Sequence, residues 1–234
     1  MSDYNPEGLS DNNEWDDSWE FAWSEFDWER HLQDQDRTVH SYLSHYDKLT
    51  DRADRIDEVA HRMGWDQEDW TTDEGDSSDS LNLFAEPEGA DTGTPMDPYT
   101  IQKHPVYIST RSLFFWLHRA WEFIAPACGR NMPVRTAMAF ASSLFRAEHY
   151  SLLATHSLDM GDFSLSVCQS KRAMAELNNA MEHLRTIDAK IHPALEEFQR
   201  QAYVRLFDIR EIWLRVMRDC REEIDRRVSE GGEN

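Results

Sequence analysis

The stretch from Pro193 to Val228, PALEEFQRQAYVRLFDIREIWLRVMRDCREEIDRRV, decides the fold. Leu195, Phe198, Ala202, Leu206, Ile209, Trp213, Val216, Cys220, Ile224 and Val228 recur in it at steps of three or four. That spacing draws one apolar seam along a helix of about 35 residues, about 50 Å at a rise of ~1.5 Å per residue. A seam so long and so narrow needs helices packed beside it. The same periodicity appears upstream, in Tyr107 to Ala127, in Pro133 to Leu158 with proline near its first turn, and in Phe163 to Ile191 after a tight break at Gly161 and Asp162. Short loops make consecutive helices antiparallel neighbours, so residues 104–228 are expected to form an up-and-down bundle.

Working outward toward the N-terminus, the charge changes abruptly. Met1 to Thr100 carries 6 Lys and Arg against 28 Asp and Glu, whereas residues 101–234 carry 18 against 17, within a chain of net charge −21. The field of the first hundred residues attracts cationic partners and repels nucleic acid. Residues 1–14 are polar and aperiodic and are expected to be a disordered lead-in. Trp15, Trp19, Trp23 and Phe26 then place four aromatic rings on one helical stripe among acidic residues, with Trp28 close by. The seam continues through Val39, Tyr42, Tyr46, Leu49, Ala53, Ile56, Ala60 and Met63 to a stop at Gly64. One acidic, aromatic-rich helix over residues 15–64 is the expectation. Residues 65–103 follow as a linker: Trp65 to Thr100 holds eleven acidic residues, no Lys or Arg, three Gly and three Pro, and cannot bury enough apolar surface to order itself. Leu81, Leu83 and Phe84 form a small apolar island within it. Residues 229–234 are a tail. The fold class expected is therefore all-α: an up-and-down bundle with a long C-terminal helix, plus a long N-terminal helix tethered by an acidic disordered linker. The bundle from Tyr107 onward is expected to fold without that helix.

Tyr150, Leu153 and Ala154 before the tight break, and Gly161, Phe163, Ser166, Ala173 and Met174 after it, have a spacing that resembles a tetratricopeptide hairpin. Ser170 departs from that pattern where a bulky residue is expected, and a single copy is read as helix-packing chemistry.

Catalytic signatures are lacking: there is no phosphate loop, dinucleotide-binding glycine cluster or nucleophile elbow. His118 with Glu122, and Glu148 with His149 and His156, could converge between bundle helices on zinc or iron. The competing reading makes His149 and His156 core residues, because they share a stripe with Phe145 and Leu152. Two Arg-to-His intervals, Arg111 to His118 and Arg185 to His192, match the loose spacing of some helical RNA-cleaving domains but arise easily by chance. The arginines of the last helix alternate with acids and read as a solvated mixed-charge face. Three unpaired-looking cysteines, Cys128, Cys168 and Cys220, and no secretory signal point to a reducing, cytoplasmic setting. No cofactor and no membrane segment are expected. The leading expectation is a non-catalytic helical adaptor or regulatory subunit that meets a basic protein partner through Trp15, Trp19, Trp23, Phe26 and Trp28, without direct nucleic-acid binding. A His/Glu metal protein or enzyme and an acidic mimic of nucleic acid are the alternatives.

Overall fold

The computed structural model describes residues 23–65 and 101–231; the lead-in, Trp15, Trp19, the Leu81–Phe84 island and the last three residues lie outside it. The described residues are all helical apart from turns, in the order α1 (Glu25–Asp47), α2 (Arg55–Arg62), α3 (Pro105–Ala127), α4 (Val134–Asp159), α5 (Phe163–Arg185) and α6 (Pro193–Gly231), with single 3-10 turns before α3, α4 and α6.

Local chemistry sets the helix starts. Pro105 occupies the first turn of α3, where its missing N–H costs nothing, and the His104 ring caps the helix by accepting the Val106 N–H on Nδ1 at 3.1 Å. Asp162 accepts the Leu165 N–H at 3.0 Å to open α5, directly after Gly161 turns the chain at φ 72°. Side-chain pairs fix the topology. Trp121 meets Phe140 edge-on at 4.6 Å, Ser166 Oγ donates to the Ala154 carbonyl at 3.0 Å, and Tyr203 donates to the Met181 carbonyl at 3.3 Å. Helices α3 to α6 thus alternate in direction, and stacked Trp116 and Phe198 rings, 6.0 Å apart, close α6 back onto α3. The expected up-and-down bundle is present. Between α4 and α5 the buried residues are small, among them Ala147, Ala154, Ser166, Ser170 and Ala180. Ser170 stands where a tetratricopeptide hairpin would be bulky because this helix pair approaches closely.

The acidic N-terminal helix differs from its expectation in two ways. It is not one helix to Gly64. The seam leaves helical geometry after Asp47, Leu49 stays buried in the turn, Ala53 is exposed, and α2 resumes the apolar face with Ile56, Val59 and Ala60. In this turn Arg52 clasps the Asp54 side chain at 2.8 and 2.6 Å, so Asp54 makes no cap bond and local pairing competes with helix continuation. Nor is the helix a separate object. Tyr42, Tyr46, Leu49, Ile56 and Val59 belong to the same buried cluster as Leu117, Phe198 and Trp213. Helix α1 lies along α3 in the same direction, where Ser112 Oγ donates to the Val39 carbonyl at 3.2 Å and His40 packs on Phe115 at 5.2 Å.

Two buried charges on α6 bind this layer down. Arg205 is 1% exposed, with its guanidinium 3.7 Å from the Trp116 ring centroid and 5.2 Å from that of Tyr46, and it donates to Asp47 at 2.6 Å. One turn on, the buried Asp208 carboxylate accepts two bonds from Arg55, at 2.6 and 2.5 Å, and a short one from the Tyr46 hydroxyl. Burial, reinforced by the Asp208 charge, pushes the Tyr46 phenol far up. Every partner of these two charges that lies outside α6 comes from α1, α2 or α3.

A chain beginning at Asp97 therefore loses Asp47, Tyr46 and Arg55 together. The deletion also uncovers the apolar face that Tyr42, Tyr46, Leu49, Ile56 and Val59 bury, and at about 1.5–3 kcal/mol per buried large side chain the loss is comparable to the ~5–15 kcal/mol of a whole domain. That fragment is expected to melt without a cooperative transition by circular dichroism; a sharp two-state melt would refute core membership of α1 and α2.

The capping role of His104 has a pH consequence. Burial pulls its pKa down to about 4, against a weak opposing pull from Asp159. The unfolded chain takes up that proton near pH 6.5, so stability falls as pH drops from about 6.5 to 4 and this loss is complete below that. His104→Asn keeps a capping acceptor without a titrating ring, and is expected to flatten the denaturation midpoint across that window.

Candidate functional site

The aromatic, acidic entry to α1 is the site the sequence singles out, and its geometry follows from one capping box. Ser24 Oγ accepts the Asp27 N–H at 3.3 Å while Asp27 Oδ2 accepts the Ser24 N–H at 3.0 Å, satisfying two donors at the helix start. The Ser24 hydroxyl and backbone hold the Asp27 carboxyl below its usual range. Trp23 is thereby placed just before the helix. It folds onto Trp28, ring centroids 5.0 Å apart, and onto the His31 edge at 5.3 Å, which is the hydrophobic staple of a capped helix.

This arrangement changes the expected stripe. Trp23 and Phe26 do not share a helical face, since the helix begins between them; Trp15 and Trp19 lie outside the described residues. Phe26 is 67% exposed beneath the Arg30 guanidinium, 5.0 Å from its ring, while Trp28 is 43% and Leu32 50% exposed. Glu25, Glu29, Asp34 and Asp36 are exposed around them. Beside the staple opens a cleft of about 440 Å³ between α1 and the start of α3, lined by Trp23, Asp27, Arg30, His31, Lys103 and Ile108. Trp28 and Leu32, four residues apart, therefore share one exposed face, Phe26 stands on the other side of the helix, and carboxylates surround all three.

Of the alternative metal set, the fold brings together only His118 and Glu148. His118 Nε2 donates to Glu148 Oε2 at 2.9 Å, and Arg111 forms a short ion pair with the other carboxylate oxygen. Burial pushes the Glu148 carboxyl up, but the His118 hydrogen bond and the Arg111 charge outweigh it and the net shift is downward. Glu122 turns instead to Arg119 at 3.1 Å. Both His149 and His156 are exposed, so the core reading of these histidines is corrected along with the convergence: the Phe145, His149, Leu152, His156 stripe faces outward. The inward stripe of α4 is Phe140, Leu144, Ala147, Ser151, Ala154 and Leu158. Its small members left it no more conspicuous than the outer one. Among the described residues no three His, Cys, Asp or Glu side chains converge on a point that could hold a metal ion.

The Arg-to-His intervals resolve into structural roles. Arg111 and His118 share Glu148, Arg185 pairs with Glu182 at 2.7 Å, and His192 accepts the Ala194 N–H at 3.2 Å as a helix cap. On α6, Arg200, Arg215, Arg218, Arg226 and Arg227 each reach an acidic neighbour. Sequence reasoning missed Arg205 and Asp208, which look like any other pair on a mixed-charge face. It missed the capping box too, although Ser24-x-x-Asp27 was there to read. No helix among the described residues is long and apolar enough to cross a membrane. No family model, curated protein or solved structure matches the chain.

Glu148→Gln removes the charge that Arg111 and His118 share. At neutral pH it is expected to destabilise the chain by about 1 kcal/mol, the scale of a partly buried charge-assisted hydrogen bond. Because the wild-type carboxyl is held low, its contribution is lost as pH falls through the folded pKa. Urea midpoints of the two proteins should therefore converge as pH falls below the ordinary glutamate range; a constant gap across pH would exclude the charge as the cause.

Proposed function

We propose that the protein is a non-catalytic helical adaptor or regulatory subunit whose acidic, aromatic N-terminal stretch engages a basic protein partner. The observation that carries this reading is the exposed pair Trp28 and Leu32, one helical turn apart at the capped end of α1, with Phe26 exposed on the other side of the helix and carboxylates set among all three. Three large apolar side chains held on a stable helix end offer anchors with little ordering cost. The surrounding carboxylates steer a cationic surface toward them and repel nucleic acid. Trp15 and Trp19 extend the same chemistry in sequence.

Affinity capture with the full chain, compared between wild type, Phe26→Ala/Trp28→Ala/Leu32→Ala and Glu25→Gln/Glu29→Gln/Asp34→Asn, tests the reading. Phe26 and Leu32 are exposed and outside the staple, whereas Trp28 supplies one of its two rings, so the apolar variant is expected to fray at the start of α1 and stay folded elsewhere, and the Phe26→Ala/Leu32→Ala double variant to keep its thermal stability. The apolar triple variant is expected to lose basic partners by a hundredfold or more, since one buried aromatic anchor is worth about 2 kcal/mol. The neutralised variant is expected to associate more slowly and with less salt dependence. Partners lost on neutralisation yet indifferent to the apolar triple would favour nucleic-acid mimicry, and a capture profile unchanged by either variant would sink the entry to α1 as the binding element.

A further inference from the structure

The outward face of α4 is an apolar feature that the proposed function leaves unused. Met138, Phe145 and Leu152 recur every seven residues along it, all exposed, with Phe145 at 61% and Leu152 at 42%. Seven-residue spacing keeps them on nearly one side of the helix, as in a seam that receives a partner. Beside them lies a groove of about 300 Å³ between α3 and α4, walled by Tyr107, Phe114, Phe145 and Leu152. Ser151 also lines it, and its buried hydroxyl has no hydrogen-bond partner among the described residues. A buried hydroxyl without a partner is costly, and an entering backbone amide would satisfy it.

Charge narrows the occupant. Residues 101–160, which hold α3 and α4, carry six Lys and Arg against three Asp and Glu, and His149 and His156 stand on the exposed face itself. In the groove itself Arg111 is paired with Glu148, and a second copy would bring the same Arg135 and His149 against themselves, in chains that each carry −21. An acidic segment with apolar residues is the complement. The chain contains one: residues 66–100 have eleven acids and no Lys or Arg around Leu81, Leu83 and Phe84. Its tether fits. Residue 101 resumes the fold just before α3, and His104 lies close enough to Asp159, at the Leu152 end of α4, to feel its charge. Phe84 precedes Ile101 by 17 residues, a reach of up to ~55 Å at about 3.3 Å per residue, against the ~39 Å length of α4.

We infer that the Leu81–Phe84 island docks in cis on the α3–α4 groove, its apolar side chains against Phe145 and Leu152 and its carboxylates toward the basic residues of this half of the bundle. This surface is separate from the α1 entry, and the inference stands whether or not that entry binds a partner.

A fluorescent peptide of residues 76–90, titrated into full-length protein, tests it. Leu81→Ser/Leu83→Ser/Phe84→Ser frees the groove and is expected to bind the peptide saturably. Wild type, whose own segment competes at a tether-set concentration, is expected to bind it at least about tenfold more weakly. Adding Leu152→Glu or, separately, Phe145→Ala to the island variant is expected to abolish binding; both positions are exposed, so the melting temperature should stay within a few degrees. Equal affinity of wild type and island variant for the peptide would overturn the inference, as would no saturable binding to the island variant. Concentration-dependent association of the island variant in sedimentation, lost with Leu152→Glu, would assign the groove to a second copy instead.

Discussion

Arg205 and Asp208, one turn apart on α6 and both buried, are the constraint on which the rest of the arrangement depends. Removing an ion from water costs several kcal/mol even after relaxation, so each must be compensated in place. Compensation comes from three helices at once. Trp116 on α3 lies beneath the Arg205 guanidinium, Tyr46 at the end of α1 serves both charges and Asp47 beside it serves Arg205, and Arg55 at the start of α2 returns to grip Asp208 with two bonds. The bend between α1 and α2 follows from this. A straight helix would carry residue 55 about 12 Å beyond Asp47, at ~1.5 Å per residue, along the α1 axis. The turn at 48–54 instead lets Tyr46 and Arg55 converge on one carboxylate.

That arrangement divides α1 into two parts with different duties. From Val39 onward its apolar residues face α3 and α6 and belong to the core. Before that, only His31 is buried, and the large side chains Phe26, Trp28 and Leu32 stand in solvent. An exposed helix end with bulky apolar side chains would fray or aggregate without reinforcement. The Ser24–Asp27 capping box and the Trp23–Trp28 staple supply it locally, in one turn of chain, without recruiting the bundle.

The parts legible in sequence were those written in the spacing of large apolar residues. The α6 seam, the Pro105 start of α3, the Gly161–Asp162 break and the antiparallel order all follow from such signals. Three features resisted for identifiable reasons. The α4 helix carries two stripes of helical period, and Phe145 and Leu152 make the outer one as conspicuous as the inner one, in which Phe140, Leu144 and Leu158 alternate with alanines and serines that suit a close approach to α5. Arg205 and Asp208 are typed as surface residues by composition; only the position of Trp116 and Tyr46, distant in sequence, makes them buried. The break after Asp47 falls inside a seam whose three-and-four rhythm persists across it, so periodicity alone could not detect it. At the aromatic entry, Trp23 was assigned to a helical stripe by the same rhythm, although the capping serine beside it marks the helix start.

The charge division of the chain acquires a different meaning once α1 and α2 belong to the core. It no longer separates a neutral bundle from an acidic appendage, because five of the core's apolar residues and three partners of its buried ions come from the acidic part. What remains unbalanced is the surface: a carboxylate rim around Phe26 and Trp28 at the entry to α1, and six Lys and Arg against three Asp and Glu over residues 101–160. Opposite fields on one small body favour contacts of opposite character. On the proposed reading the exposed entry to α1 would take a cationic groove and the α3–α4 groove an acidic apolar segment, so that a partner suited to one would be repelled by the other. Specificity then resides in the placement of charge around two modest apolar surfaces, since neither surface by its area alone would discriminate among partners.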